Sequence, residues 1–518
     1  MNKISIQLSL VGLGITTALP VSGASGLEEL KEDALRMVEE RKTFTQQMVD
    51  SVFSFAELGF QETETSAYIT EILEQEGFSV ECGVAGMPTA FMATWGSGRP
   101  VIGFMADLDC VPGASQTPGV AYHLPLVEGA PGHGEGHNSG QAVNVTAAIV
   151  VKELMQREGI EGTLKVYPGV AEELVGGKTY LILAGLFEGV DAVLGSHISD
   201  SFNTAYGTRG TGLVSTQFTF HGRSSHAAVE PWLGLSALDA VELMDIGWNF
   251  RREHLPLDHR SHYVIVEGGD QPNVIPDRAT VWYYFRGMNY EEIRAIHEIG
   301  QQVAEGAAMM TGTTVTERVL SATWPRYFNK PLAEALYANI ERVGMPVWSE
   351  ADETLARAAQ RELNEPEQGM DRNIGPLKKD SPGGGSDDIG DVSWNVPTVV
   401  LRFPGNMPGM IMHHWSSGIS MATPIAHKGA TAGAKAQALT ALDILHDPEL
   451  VRAAHAFLSE QTKGKPWEPL VPENASPPTF LNKKKMSEFR GEMKKFYYDP
   501  ERFETYLDQL GVTYPTTR

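Results

Sequence analysis

Apolar residues recur at helical spacing from residue 27 to about 55, with Leu27, Leu30, Ala34, Met37 and Val38 on one face. A second helix is expected over 65–77. Strands are expected at 79–82, 89–95 and 101–105, the last a continuous apolar run that ends in Ala106-Asp107-Leu108-Asp109. Helix 143–158 then leads into strand 163–167, and helix 176–184 into strand 192–196, which ends at His197. Strands that alternate with helices, the inner ones almost uniformly apolar, predict an α/β fold: a mixed or parallel sheet flanked by helices. Such sheets place their sites at the carboxyl ends of the strands.

The rhythm changes after residue 211. Residues 213–221 alternate apolar and polar, 235–252 read as a helix, 261–267 and 279–286 as strands, 290–309 as a helix and 314–320 as a strand. This βαββαβ order is the split ferredoxin-like unit. It predicts a domain inserted at 211–323 that divides a larger one into 25–210 and 324–462. The second part holds a charged helix and a Lys-, Gly- and Pro-rich loop within 352–384, a strand at 398–403 and a helix at 428–445. Residues 463–518 read as an extension, a Pro-rich connector followed by a charged helical tail.

Residues 1–24 have the pattern of a secretory signal: Lys3, an apolar run from Ile4 to Leu19, the breaker Pro20, and small residues at Ser22-Gly23-Ala24. The polar residues within the run, and its length, favour a cleaved leader over a membrane anchor. The expectation is a periplasmic or secreted protein cleaved near Ala24, with no stable membrane insertion after processing. Hydrophobic residues make up 42% of the 518, enough for a large core, and the formal charge of −24 argues against nucleic acid and anionic membranes as partners. Cys82 and Cys110 are too few for a disulfide scaffold or a cysteine-rich zinc module.

The chemistry concentrates in a few places. In Gly132-His133-Gly134-Glu135-Gly136-His137-Asn138, alternating glycines let the chain fold tightly around two imidazoles and a carboxylate, a donor set suited to a divalent cation. Glu172-Glu173 follows an apolar strand; burial of two adjacent carboxylates needs a cation or a shared proton, and one could ligate while the other acts as general base. His197 and His413-His414-Trp415 each lie at or shortly after a strand end. Together these side chains suffice for two metals.

Phe55-Ala56-Glu57-Leu58-Gly59-Phe60-Gln61-Glu62, Gly86-Met87-Pro88-Thr89-Ala90-Phe91, Asp109-Cys110-Val111-Pro112-Gly113 and the 132–138 loop resemble the zinc-dependent aminoacylase/carboxypeptidase amidohydrolases, within them the clade of the aminobenzoyl-glutamate hydrolase B subunit. Ser225-His226-Ala227-Ala228, Pro272-Asn273-Val274-Ile275-Pro276-Asp277, Asp388-Ile389-Gly390-Asp391 and Ala426-His427-Lys428-Gly429 fit as well, in order, from about residue 28 to 445. The resemblance implies a dinuclear site, zinc or manganese, that cleaves an amide bond in an N-acyl amino acid or short peptide. It implies metal ligands at Glu135, His137, Glu173, His197 and His413, with His413 preferred to His414. It makes Glu172 the general base and Asp109 a carboxylate behind the ligands. Asp107 falls where related aminopeptidases have a histidine ligand. The inserted domain becomes a lid and dimerisation domain of a homodimer. His226 and Asn273 reach the substrate carbonyl, the histidine from the opposite subunit, and Arg286 meets the substrate carboxylate. Glu135 replaces the usual cysteine; a carboxylate is harder than a thiolate and leans the site toward manganese. A metal pair that relies on His133 instead of Glu135 is the competing arrangement. Two other functions fit the same residues: an aminopeptidase or dipeptidase, and a non-catalytic exported binding protein on the same scaffold.

Overall fold

The structure, a computed structural model, describes residues 23–381 and 383–518; most of the expected leader lies outside the described residues. Gly23–Glu40 and Lys42–Phe55 form two helices, and Thr63–Gln75 a third. The first strands are β1 (Ser79–Cys82), β2 (Phe91–Ser97), β3 (Val101–Asp107), β4 (Gly162–Gly169) and β5 (Ala192–Ser199). Then come β6 (Ala205–Arg209), β7 (Gly212–His221), β8 (Arg260–Glu267), β9 (Arg278–Gly287), β10 (Thr314–Thr323), β11 (Arg326–Phe328), β12 (Lys378–Lys379) and β13 (Thr398–Pro404).

Six strands form the main sheet in the order β1-β2-β4-β3-β5-β13. The β1/β2 and β2/β4 pairs are antiparallel, and β4/β3, β3/β5 and β5/β13 are parallel. This is a mixed α/β sheet. Its parallel strands are largely buried on both faces, which is why they read as nearly continuous apolar runs. One face carries helices His137–Glu158 and Pro424–His446, packed under the two N-terminal helices. The helix His137–Glu158 begins six residues earlier than its apolar pattern predicts. Its first turn is built from His137, Asn138 and Ser139, and Asn138 donates from Nδ2 to the carbonyls of Val49 (3.1 Å) and Met421 (2.7 Å).

The inserted unit is a separate antiparallel sheet, β10-β7-β9-β8, with helices Ala237–Arg252 and Tyr290–Thr311 packed on it around Trp248, Tyr283 and Phe285. This is the ferredoxin-like order. A small third sheet, β11-β6-β12, lies beside the crossing into this lid. Neither it nor the helices Lys330–Val343 and Pro448–Thr462 are among the expected elements.

The extension after residue 463 is bound along its length to the rest of the chain. Trp467 donates from Nε1 to Asp391, Trp324 donates to the carbonyl of Glu468, and Val471 packs with Val214 and Ile293 of the lid. Asn482 donates to the carbonyl of Gly59, Arg490 pairs with the buried Glu57, and the amide of Tyr506 donates to the buried Asp50 (3.0 Å). Thr516 bridges Val120, and the hydroxyl of Tyr514 donates to Asp352. Among the described residues no helix is long and apolar enough to cross a membrane.

Candidate metal centre

The carboxyl ends of β3, β4 and β5 meet the start of helix His137–Glu158 at one point. Gly136 takes φ +76°, a turn that glycine makes without strain, and it delivers His137 as the first helical residue. His137 Nε2 lies 3.8 Å from Glu135 Oε2 and 3.9 Å from Glu172 Oε2. His197 Nε2 is 3.4 Å from Glu135 Oε2. His413 Nε2 is 2.7 Å from Glu135 Oε1 and 3.2 Å from Glu173 Oε2. Glu135, His137, Glu172, Glu173, His197 and His413 therefore converge, as expected from the sequence.

The imidazoles are oriented from behind. His137 Nδ1 is bonded to the carbonyl of Asp109 (3.1 Å) and His197 Nδ1 to that of Ile198 (2.8 Å), so each presents Nε2 to the cluster. Asp109 accepts the amides of both Glu172 and Glu173 at 3.1 Å. His137 Nε2 and Glu173 Oε1 are buried and make no hydrogen bond, a costly state for polar atoms that a cation between them would relieve. The donor set, imidazole nitrogen and carboxylate oxygen, fits zinc or manganese.

The electrostatics say the same. Burial, with the carboxylates of Asp387 and Asp107, pushes Glu172 well above the carboxylate range. Burial, with Glu135 and Asp109, pushes Glu173 up to about 8 against the pull of His137. Glu135 is held well below its ordinary value, burial being overcome by hydrogen bonds from His197 and His413. His137 is raised against burial by Asp109, Asp107 and Glu173. A cluster that must hold protons to be buried is one from which a divalent cation would release them.

The other expected residues divide. His133 is turned to the helix behind, with Nε2 on the carbonyl of Val52 (3.1 Å) and its ring stacked on Phe53; burial drives it down to about 3. His414 caps the turn Trp415–Ile419 through Ser416. Asp107 pairs with Lys178 Nζ at 2.5 Å. Arg286 reaches the site from β9: Nη1 donates to Ser386 (2.7 Å) and its guanidinium lies over Tyr284. His226 and Asn273 are exposed on the lid, and His226 Nδ1 accepts the amides of Ala228 and Val229. The structure does not bring these two to the cluster within one chain.

Three features are not foreseen from the sequence. Lys178 is fully buried and pairs with Asp107 and Asp388. Arg326 pairs with Asp387 at 3.0 Å. A cavity of about 650 Å³ opens beside Glu135 and His197, lined by Asn203, Arg326, Ser386 and Met410 among others. A signal for Lys178 does exist: it is a lone lysine after two glycines, heading an otherwise apolar segment.

Comparison with known proteins gives the family. Residues 208–308 match the peptidase dimerisation domain family. The chain is 32% identical over 473 residues to the B subunit of the p-aminobenzoyl-glutamate hydrolase of Escherichia coli, across 86% of this chain and 98% of that one. It is 28% identical over 446 residues to the Xaa-Arg dipeptidase of Mus musculus, across 83% and 92%. The solved aminobenzoyl-glutamate utilization protein from Klebsiella pneumoniae shares the fold, with a TM-score of 0.50 at 16% identity over 82% of this chain and 98% of its own. With a relative of 32% identity matched over nearly its whole length, and the cluster and lid in place, the chain belongs to the metal-dependent aminoacylase/carboxypeptidase amidohydrolases.

Proposed function

We propose that the protein is an exported, homodimeric hydrolase that holds two divalent cations and cleaves the amide bond of N-acyl amino acids or short peptides. The observation that carries this reading is the convergence of His137, His197 and His413 with Glu135, Glu172 and Glu173, two of whose buried atoms lack partners. Glu135, His137, Glu173, His197 and His413 would hold the cations, which supply Lewis acidity to water and to the amide carbonyl. Glu172 takes the proton of the attacking water and returns it to the leaving amine. Arg286, anchored on Ser386, meets the substrate carboxylate. The cavity beside Glu135 and His197 receives the rest of the substrate, and Met410 and Met412, just before the exposed His413, line it. His226 and Asn273 complete the site from a second subunit. Exposed Val264, Ile265 and Val266 on the unpaired edge of β8, with Trp232 near His226, support pairing of two lids.

The relatives include a dipeptidase, so dipeptides belong in the test beside N-acyl amino acids. The purified protein loaded with manganese or zinc is assayed against p-aminobenzoyl-glutamate, N-acetyl amino acids and dipeptides, with metal content measured in parallel. Release of free amino acid with about two metals per chain is the expected result. Metal binding without turnover of any of these would favour a binding protein, and the mass of the mature N-terminus decides export.

A further inference from the structure

Glu62 ends the sequence motif that opens at Phe55, and nothing in the chemistry above employs it. It is fully buried. Its Oε1 accepts the amide of Ala171 at 2.8 Å, and its Oε2 accepts the hydroxyl of Thr89 at 2.8 Å. Ala171 is the residue at which the chain leaves β4 and turns to present Glu172 and Glu173. It does so at φ +54°, and Val175 closes the same turn at φ +52°. Left-handed conformations are disfavoured for residues with a Cβ, most of all for a β-branched one. Strain of this kind, about 1–3 kcal/mol per residue, persists only where the surroundings over-determine the backbone.

The surroundings here are carboxylates. Glu62 takes the amide of Ala171, Asp109 those of Glu172 and Glu173, and Asp388 those of Gly177 and Lys178. Five amides of one short turn are thus held by three side chains remote in sequence. Asp109 also backs His137, and Asp388 also pairs with Lys178. Among the three, Glu62 grips the strained entry residue itself. The segment that carries it is pressed against the turn: a Cβ on Gly59 would stand 2.9 Å from Ala171 Cα.

We propose that Glu62 is a positioning residue: anchored by Thr89, it locks Ala171 in the left-handed conformation and thereby aims the carboxylates of Glu172 and Glu173. This rests on Glu172 acting as the base. The full-length protein is compared as Glu62→Ala, Glu62→Gln and Thr89→Val. Hydrogen–deuterium exchange over 168–178 is measured in the metal-free protein, and kcat and KM in the metal-loaded protein on the substrate the wild type turns over fastest.

Glu62→Ala is expected to speed exchange within 168–178 and to lower kcat about 100-fold with KM little changed, since a small misplacement of a reacting group has that effect. Glu62→Gln should restore both, because its oxygen still accepts from Ala171 and its amide can donate to the Thr89 hydroxyl. Thr89→Val should fall between. Unchanged exchange over 168–178 in Glu62→Ala, or a Gln variant as impaired as the Ala variant, overturns the proposal. Should Glu62→Ala fail to fold, Thr89→Val decides by the same exchange measurement, with unchanged exchange again counting against it. A wild type without hydrolysis would sink the functional reading instead, while the exchange result would still judge the tether.

Discussion

Glu172 and Glu173 are neighbours with different surroundings, and the roles proposed for them rest on that. Glu173 Oε2 faces His413 at 3.2 Å, among the imidazoles, while Glu172 lies toward Asp387, Asp107 and Lys178. Glu172→Gln should keep both metals and the fold but lose about 10²–10⁴-fold in hydrolysis, the usual worth of a general base. Glu173→Gln should lower metal content first. Metal analysis beside kinetics checks both, and exchanged phenotypes would reverse the assignment. The contest between Glu135 and His133 is tested in the same way. Glu135→Ala should lose metal and activity together, because its two oxygens face His197 and His413. His133→Ala should keep its metal and lose thermal stability, since that ring is bonded to Val52 and stacked on Phe53. Full occupancy in the first and loss in the second would contradict this. Glu135 is legible in the sequence because Gly134 and Gly136 leave nothing to hold it back from His137. Lys178 shows only as a lone lysine heading an apolar segment; its role is not legible, because the carboxylates that neutralise it, Asp107 and Asp388, stand 71 and 210 residues away.

At the scale of elements, apolar runs mark the buried strands well, and period-3.6 patterns mark most helices. The pattern fails where an element is buried all round or is very short. Helix His137–Glu158 begins in polar residues because its first turn belongs to the site. The strands β6, β11 and β12 hold two to five residues each and exist only through pairing with one another. The motif Ala426-His427-Lys428-Gly429 acquires a physical reason at this scale. His427 bonds the buried Asp50 at 2.7 Å, and Lys428 bonds Asp352 at 2.5 Å. A Cβ on Gly429 would lie 2.3 Å from the carbonyl oxygen of Pro404, where helix Pro424–His446 crosses the end of β13. Gly429→Ala should therefore destabilise the fold by about 1–3 kcal/mol through overpacking, measured by denaturant unfolding. An unchanged midpoint would mean that helix and strand can separate freely.

At the scale of the molecule, the proposed dimer has each lid complete the site of the other copy. If His226 acts across the interface, His226→Ala should lose turnover and keep metal, and mixing it with Glu172→Gln should restore activity through hybrid dimers. No recovery after demonstrated subunit exchange would count against a shared site. The junction between lid, catalytic unit and extension also carries a pH dependence. Asp391 is buried, accepts the amide of Trp324 and the indole of Trp467, and burial pushes its carboxyl up to about 7. The folded chain thus keeps a proton there that the unfolded chain releases near pH 4. The stabilisation is full below about pH 4 and fades as pH rises toward 7, by up to roughly 4 kcal/mol. Asp391→Asn keeps the acceptor oxygen and removes the titration. Its stability should hold more level over that window, as denaturant unfolding at several pH values would show.

The tail also bears on the order in which the molecule can be made. A ribosome delivers Asp50 and Glu57 early, yet two of their partners, the amide of Tyr506 and the guanidinium of Arg490, follow 456 and 433 residues later. Until then Asp50 has Gln46 and, later, His427 but not Tyr506, Glu57 has the hydroxyl of Thr63 and the amides of Glu64 and Thr65 but no cation, and the edge at Val120 waits for Thr516. The catalytic unit, already interrupted by its lid, therefore gains its last braces only once residues 483–516 have been made. A nascent chain halted before residue 483 would be open to proteases throughout its first half, while one carried through to Arg518 would resist them.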